Sequence, residues 1–334
     1  MSTLALICFV SFVAGRLLMA RFLVFSRRHL MDSPNERSSH HQPTPRGGGI
    51  VIAAIVPVAF FLLIMLPEQA LLKTHLLLTL AFASLPLSLM GLIDDRLSLS
   101  PKIRLSFQSA FMVITILLVI NDSALTPEWL HALLSQSLPL FFLVITLCMV
   151  FLTNLVNFMD GLDGLVASCF LLVSVAAALL SGQFVWLILS APTVAFLTFN
   201  WPPAQLFLGD AGSTWMGLWI GLMIVLMPTP AAAFKLIALS APLWFDASQT
   251  LVRRLISGAS PTQPHRLHLY QRLHRAGWSH QRVTVTYLLA VLLNLLAACG
   301  PSPLFLWVSL VLTLLFGVIL DRFVAVPFAI QESS

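Results

Sequence analysis

Charge is what this sequence has least of. Only 9 % of its 334 residues are Asp, Glu, Lys or Arg, against 58 % apolar, and the mean hydropathy is +0.94. A soluble domain carries about 25 % charged residues, so no water-facing surface can be assembled from this composition. Disorder and collagen-like order are excluded with it. Cysteine is scarce as well. Cys8, Cys148, Cys169 and Cys299 all sit inside apolar runs, with no CxxC pair and no histidine at ligand spacing. That rules out a disulfide scaffold or zinc site and leaves packing as their role. The sequence also has no repeat of fixed period, no soluble stretch longer than a loop, and none of the alternating segments of a membrane barrel.

What is present is a series of apolar runs. They begin near Leu4, Ile50, Thr74, Leu105, Pro139, Gly164, Phe184, Ser213, Ala231, Val283 and Pro303. A helix needs roughly 20 such residues to cross a bilayer, so the reading is all-α and polytopic, with about 11 transmembrane helices. The first run has no basic leader and no clear cleavage site, and is read as retained. The whole chain, 1–334, is read as one membrane-embedded domain.

Threading these spans with the N-terminus outside, and so periplasmic, puts the inner loops at 25–47, 94–104, 154–163, 200–212 and 253–282, with a cytoplasmic C-terminus. Arg27, Arg28, Arg37, Arg46, Arg96, Lys102, Arg104, Arg253, Arg254, Arg266, Arg272, Arg275, Arg282 and Arg322 then all lie inside. Arg21 lies at the edge, and only Lys73 is left outside, with Lys235 near a helix end. The net charge of +5 is therefore a topology signal, and nucleic acid is not an expected partner.

Five of the nine aspartates fall at the inner ends of three spans: Asp94 and Asp95, Asp160 and Asp163, and Asp210. Acids at a membrane boundary are costly unless paired, solvated or bound to a cation. A single one would mark a helix end, but five on one face point to a shared site. In NFMDGLDG, Asn157, Asp160 and Asp163 recur every third residue, the spacing that puts side chains on one helical face. Asp94 and Asp95 are adjacent and diverge by about 100° on a helix. One is expected to face the site and the other to orient a Lys or Arg. Oxygen donors without a Cys or His cluster suit Mg²⁺ or Mn²⁺.

Basic and small residues complete an anion site. PRGGG opens the second span, where Arg46 and free helix N–H groups are expected to meet an anion, although helix packing accounts for its glycines equally well. It lacks the GK[ST] of a P-loop. HRLHLYQRLHR places His265, His268 and Arg272 toward phosphate oxygens, or as a basic segment on anionic lipid. Asp246 is expected to pair with or support Arg253 and Arg254. The residues alone thus describe a cytoplasm-facing, metal-dependent site for a phosphorylated substrate at a membrane surface, with a lipid co-substrate.

Five motifs in order sharpen this: DSPNERSSHHQPTPRGGG (32–49), GLIDDR (91–96), NLVNFMDGLDGL (154–165), FNWPPAQLFLGDAGS (199–213) and DASQTLVRR…HRLHLYQRL (246–273). Together they resemble the polyprenyl-phosphate N-acetylhexosamine-1-phosphate transferases, glycosyltransferase family 4. The resemblance implies that undecaprenyl phosphate attacks the β-phosphorus of a UDP-N-acetylhexosamine with Mg²⁺ or Mn²⁺, releasing UMP in the bacterial inner (cytoplasmic) membrane. It implies that Asp210 ligates the metal, that Asp94 and Asp95 lie beside the lipid phosphate, and that Asn157, Asp160 and Asp163 line the nucleotide pocket. Phe207 would stack on uracil near Asn200, and His268 would contact the diphosphate; Arg46, His265 and Arg272 complete the expected substrate contacts. A phosphate monoester has a second pKa near 6, so its dianion predominates at neutral pH and positioning outweighs general-base catalysis for the paired acids.

Where the peptidoglycan-precursor branch carries three histidines and the enterobacterial GlcNAc-1-phosphate branch HIHH, this chain has HLYQ, with Tyr270 and Gln271. That resembles the O-antigen-initiating branch, with GlcNAc or 6-deoxy donors such as FucNAc or QuiNAc; the alternative is the phospho-MurNAc-pentapeptide transferase. A homodimer is a further expectation. A secondary transporter would carry midplane charges and internal repeats, and an intramembrane aspartyl protease needs GxGD, where Phe207 replaces the first glycine.

Overall fold

A run of apolar residues in lipid has no water to satisfy its amides, so outside a closed barrel it must be helical. The computed structural model, which describes residues 2–34, 39, 42–65, 71–122, 126–259 and 265–328, has a helix over each of the eleven runs. In chain order the described helices are α1 (Ser2–His29), α2 (Gly49–Ile64), α3 (Leu71–Leu97), α4 (Pro101–Ile120), α5 (Glu128–Gln136), α6 (Leu138–Phe158), α7 (Leu165–Ser181), α8 (Leu187–Asn200), α9 (Asp210–Val225), α10 (Pro230–Leu239), α11 (Ala241–Ile256), α12 (Leu269–Arg275), α13 (His280–Ala298) and α14 (Pro303–Phe323). A two-residue antiparallel ladder, β1 (Met31–Asp32) with β2 (Thr44–Pro45), closes the loop after α1. The protein is an all-α, polytopic membrane protein.

Local chemistry sets the helix starts. Proline in the first turn, where its missing N–H costs nothing, opens α4, α6, α10, α11 and α14. Ser100, Thr229 and Ser302 cap α4, α10 and α14 through their hydroxyls. The run beginning near Ala231 is divided: the chain breaks at Ser240, and α11 starts as a separate amphipathic helix with Asp246 and Arg254 on its buried side.

Helix α9 forms the centre, with every residue from Ala211 to Met223 buried. Small residues let its neighbours approach: a side chain on Gly49 of α2 would overlap the Gly212 backbone, and one on Gly217 would strike Thr153 of α6. At the periphery, α14 turns Leu304, Phe305, Trp307, Val308, Val311 and Leu312 outward. A solvated protein does not present such a face, whereas lipid accepts it. Among the described residues, six helices are long and apolar enough to cross a bilayer, namely α1, α3 from Leu77, α4, α6, α13 and α14; α2, α7, α8 and α10 are shorter apolar helices.

Contacts among the polar ends draw the connecting segments together. Arg46 reaches Asp95, Arg104 reaches Asp94 and Asp210, His280 reaches Asp163, and Arg253 and Arg272 share Asp321. The described parts of the loops that carry most of the basic residues therefore meet at one end of the bundle.

Candidate active site

The site is organised around the first turn of α9. A helix start leaves N–H groups without partners, and the residue before this one is Gly209, which has no side chain to cap them. Its backbone, at φ +72°, is in the left-handed region that glycine tolerates. The cap comes from another helix: Asp95, in the last turn of α3, accepts from Asp210 N at 3.1 Å and Ala211 N at 3.4 Å. Carboxylate charge at a helix N-terminus is favourable. Arg46 flanks Asp95, with Nε 3.8 Å from its Oδ1 and Nη2 donating to its main-chain oxygen. Its Nη1 lies 3.6 Å from Asp32.

Asp94, as adjacency requires, points elsewhere. It accepts from Leu99 N at 2.6 Å and from Arg104 Nη1 at 3.0 Å. The same Arg104 nitrogen is 3.5 Å from Asp210 Oδ2, so one guanidinium bridges the ends of α3 and α9. One member of the pair faces the site while the other holds an arginine, and the facing member is Asp95.

Asp210 receives Asn157 Nδ2 on its other oxygen at 2.8 Å, and Asn157 also donates to Ser213 at 2.8 Å. Asn157 thus positions Asp210 and does not itself line the cavity. The helical face expected for Asn157, Asp160 and Asp163 does not form. Helix α6 ends at Phe158, and the segment turns through Gly161 to Gly164 before α7. A side chain on Gly161 would strike the Tyr270 hydroxyl. The Asp160 carboxyl enters the cavity without a hydrogen bond or ion pair among the described residues. Burial and its neighbours Asp210, Asp95 and Asp163 hold its carboxyl well above the usual range. Asp163 accepts from Ala204 N at 3.0 Å and pairs with His280 at 3.1 Å.

These residues enclose a cavity of about 330 Å³, lined by Asp32, Ser39, Arg46, Asp95, Asp160, Gly161, Leu162, Asp163, Asn200, Phe207, Leu208, Gly209, Asp210, His265, Tyr270, Gln271 and His280. The structure thereby brings Arg46, Asp95, Asp160, Asp163, Asn200, Phe207, Asp210 and His265 together. Asn200 contributes mainly scaffolding: it accepts from Gly164 N and donates to Leu206 O, both at 2.9 Å, fixing the loop that presents Phe207.

Several expectations are corrected. The N–H groups of the PRGGG turn do not await an anion; Gly48 N and Gly49 N donate to the carbonyls of Phe207 and Leu208 at 2.9 and 3.0 Å. Packing explains the glycines, and Arg46 alone faces the cavity. His268 is buried outside the lining, its ring near those of His265, Tyr270 and Phe158. Burial, with Arg254 and Arg272 nearby, pushes it down to about 3. Burial, with His268 and Arg254, does the same to His265. At so low a pKa both rings are neutral at pH 7, and His268 lies behind the residues that line the cavity. Arg272 is also outside the cavity lining. Its side chain is 2 % exposed and committed to Leu267 O at 3.1 Å, Val326 O at 2.9 Å and Asp321. Asp246 pairs with neither Arg253 nor Arg254. It caps α12, accepting from Leu269 N at 2.7 Å and Tyr270 N at 3.1 Å, and from Tyr287 Oη at 2.6 Å. Sequence reasoning missed Asp32 and His280; their signal, a lone acid and a lone histidine beside polar runs, is too weak without the fold.

No group of three or more His, Cys, Asp or Glu side chains gathers at metal-binding distance among the described residues. The donor chemistry still fits a hard divalent cation. Asp95 and Asp94 are spoken for by Arg46 and Arg104, while among the described residues the Asp160 carboxyl has no ion pair or hydrogen bond, and Asp210, which shares Arg104, keeps 31 % of its side chain open. Those two are the carboxylates in a position to hold such an ion.

Comparison with known proteins places this arrangement. Residues 77–228 match the model of glycosyl transferase family 4. The chain is 32 % identical over 307 residues to an undecaprenyl-phosphate alpha-N-acetylglucosaminyl 1-phosphate transferase of Yersinia pestis, covering 86 % of this chain and 81 % of that protein. It is 31 % identical over 323 residues to the protein of that name from Escherichia coli O157:H7, covering 88 % and 84 %. A probable undecaprenyl-phosphate N-acetylglucosaminyl 1-phosphate transferase of Bacillus subtilis is 26 % identical over 315 residues, covering 90 % and 86 %.

Proposed function

Because this chain belongs to glycosyl transferase family 4, with the polyprenyl-phosphate N-acetylhexosamine-1-phosphate transferases, we propose that it transfers HexNAc-1-phosphate from a UDP-N-acetylhexosamine to undecaprenyl phosphate. In this reading the sugar is GlcNAc or a 6-deoxy-HexNAc, and the product starts a lipid-linked O-antigen or related surface polysaccharide at the inner membrane. The observation that carries it is the convergence of Arg46, Asp95, Asp160, Asp163, Phe207 and Asp210 on one cavity at the basic end of the bundle.

In the reaction, an oxygen of the lipid phosphate bonds to the β-phosphorus, the bridge to the α-phosphate breaks, and UMP leaves. The lipid phosphate is already largely dianionic at neutral pH, so Asp95 serves as an electrostatic and structural anchor, holding Arg46 and the start of α9. Arg46 supplies a bidentate-capable cation for phosphate oxygens. Phe207 offers a ring to the base. Asp210 and Asp160 would hold Mg²⁺ or Mn²⁺, which when bound offsets diphosphate charge as it shifts onto UMP. Asn157 and Arg104 fix the two oxygens of Asp210.

UMP release from UDP-GlcNAc, and from 6-deoxy donors, by purified protein with undecaprenyl phosphate tests the reading. Release that requires both substrates and a divalent ion is the expected result; no release from any UDP-HexNAc overturns it. The proposal includes eleven crossings with the N-terminus periplasmic. Cysteine labelling should find Ser39 and Thr262 positions reachable only from the cytoplasm, and periplasmic labelling of either refutes the orientation.

A further inference from the structure

Among the acids beside this cavity, Asp95 is paired with Arg46, Asp94 with Arg104, and Asp163 with His280. The last pair stands apart chemically. His280, the first residue of α13, places Nδ1 3.1 Å from Asp163 Oδ1 and Nε2 3.0 Å from the Ser39 carbonyl oxygen. Both partners only accept. A neutral imidazole has one N–H and can satisfy one of them, whereas an imidazolium satisfies both. The rest of Asp163 is pinned too: Ala204 N donates to its other oxygen at 3.0 Å, and Thr284 of α13 donates to its main-chain carbonyl at 2.8 Å.

We infer that His280, as the imidazolium, is a positioning residue of the donor pocket, fixing the Asp163 carboxylate in the cavity wall and tying the Ser39 backbone to it. The inference rests on reading the cavity as a UDP-sugar site. The donor's diphosphate is anionic, and the cavity already holds the Asp160 carboxyl and Asp210, which shares Arg104 with Asp94. A bare Asp163 would add a third repelling charge and lose its aim. Among the described residues, the titratable groups facing the His280 ring are Asp163 and, from α12, His274, whose ring centroid is 4.6 Å away. Arg282 on its own helix is turned onto the Trp278 ring. The sign follows: both bonds exist while His280 is protonated and one is lost as pH rises through its pKa, so donor affinity falls with rising pH.

The test is the Kd of UDP-GlcNAc for the full-length protein with Mg²⁺, measured from about pH 5.5 to 8, without the lipid acceptor so that its own ionisation does not enter. His280→Gln should bind about tenfold more weakly at the acid end and lose the pH trend of the wild type. Asp163→Asn should resemble it, and the double variant should be no worse than the weaker single, since the two act as one unit. Binding by His280→Gln equal to wild type at the acid end, or an unchanged pH trend, or losses that simply add, overturns the inference. A structural role alone would lower the melting temperature while leaving the pH trend of the folded fraction intact. Failure of the wild type to bind or turn over any UDP-sugar would instead refute the reading of the cavity.

Discussion

Around the cavity, the carboxylates of Asp160 and Asp210 are left with room for another partner; behind the segment that leads into α12, Asp246 and Asp321 have none to spare. Asp246 takes two backbone N–H groups and the Tyr287 hydroxyl, and Asp321 takes both guanidinium nitrogens of Arg253 at 3.0 and 2.8 Å together with Arg272. Both groups are costly to bury, and both sit at the same end of the bundle. The difference is in saturation. A buried acid that takes three or more bonds from the protein serves the fold, whereas one that takes none, as Asp160, or one on each oxygen with its side chain still 31 % open, as Asp210, is available to a ligand.

The contrast can be broken most decisively at Asp210. Asp210→Asn should lower transfer by about 10³-fold while the melting temperature in detergent moves by no more than about 3 °C. Turnover within tenfold of wild type would remove Asp210 from the site. Next comes the pair at the end of α3. Asp95→Asn should cost about 10²-fold in kcat, and Asp94→Asn less, because only Asp95 lines the cavity. Measured from about pH 6 to 9, either defect should stay nearly constant, since the lipid phosphate has little proton left to lose; a defect that shrinks steadily as pH rises would identify a general base.

The saturated group should respond in the opposite currency. Asp246→Ala orphans the α12 N–H groups and the Tyr287 hydroxyl, and should cost about 3 kcal/mol of stability, with activity lost only in proportion to folded protein. A stable Asp246→Ala protein with little turnover would transfer this acid to the catalytic group. The smallest effect is expected at Tyr270→Phe, which deletes one bond, 3.0 Å to the Phe158 carbonyl. About 1 kcal/mol of stability and a donor KM changed less than about threefold are the outcomes to check by melting and steady-state kinetics.

Much of this was legible in the sequence, and what was not has a common cause. Helices could be read because lipid permits little else, and the acid cluster because so few charges occur elsewhere. Adjacency was enough to say that Asp94 and Asp95 diverge, but naming Asp95 as the inward one required knowing that α9 begins opposite it. The three-residue spacing of Asn157, Asp160 and Asp163 misled because a helix was assumed to continue where two glycines turn the chain. Arg272 looked like a phosphate ligand because a sequence shows that a cation is present and not which carbonyls have already claimed it, and His268 because a sequence does not show that its ring is buried behind the cavity wall. Membership of the family was carried by motif order, which survives such local errors.

The close passage of α2, α3 and α9 bears on how the enzyme can be remodelled. Side chains on Gly49, Gly91 or Gly209 would collide with the Gly212 backbone, the Asp210 carbonyl or the Asp95 carboxylate. The post that carries Asp210 is therefore set to atomic tolerance, and a library randomised there should return almost only the starting residues. Another wall is made of side chains on the segment leading into α12 and on its first turn, with His265 and Gln271 among them. Directed evolution toward a new sugar should accumulate its changes on that wall, leaving the phosphate chemistry on a foundation that cannot drift.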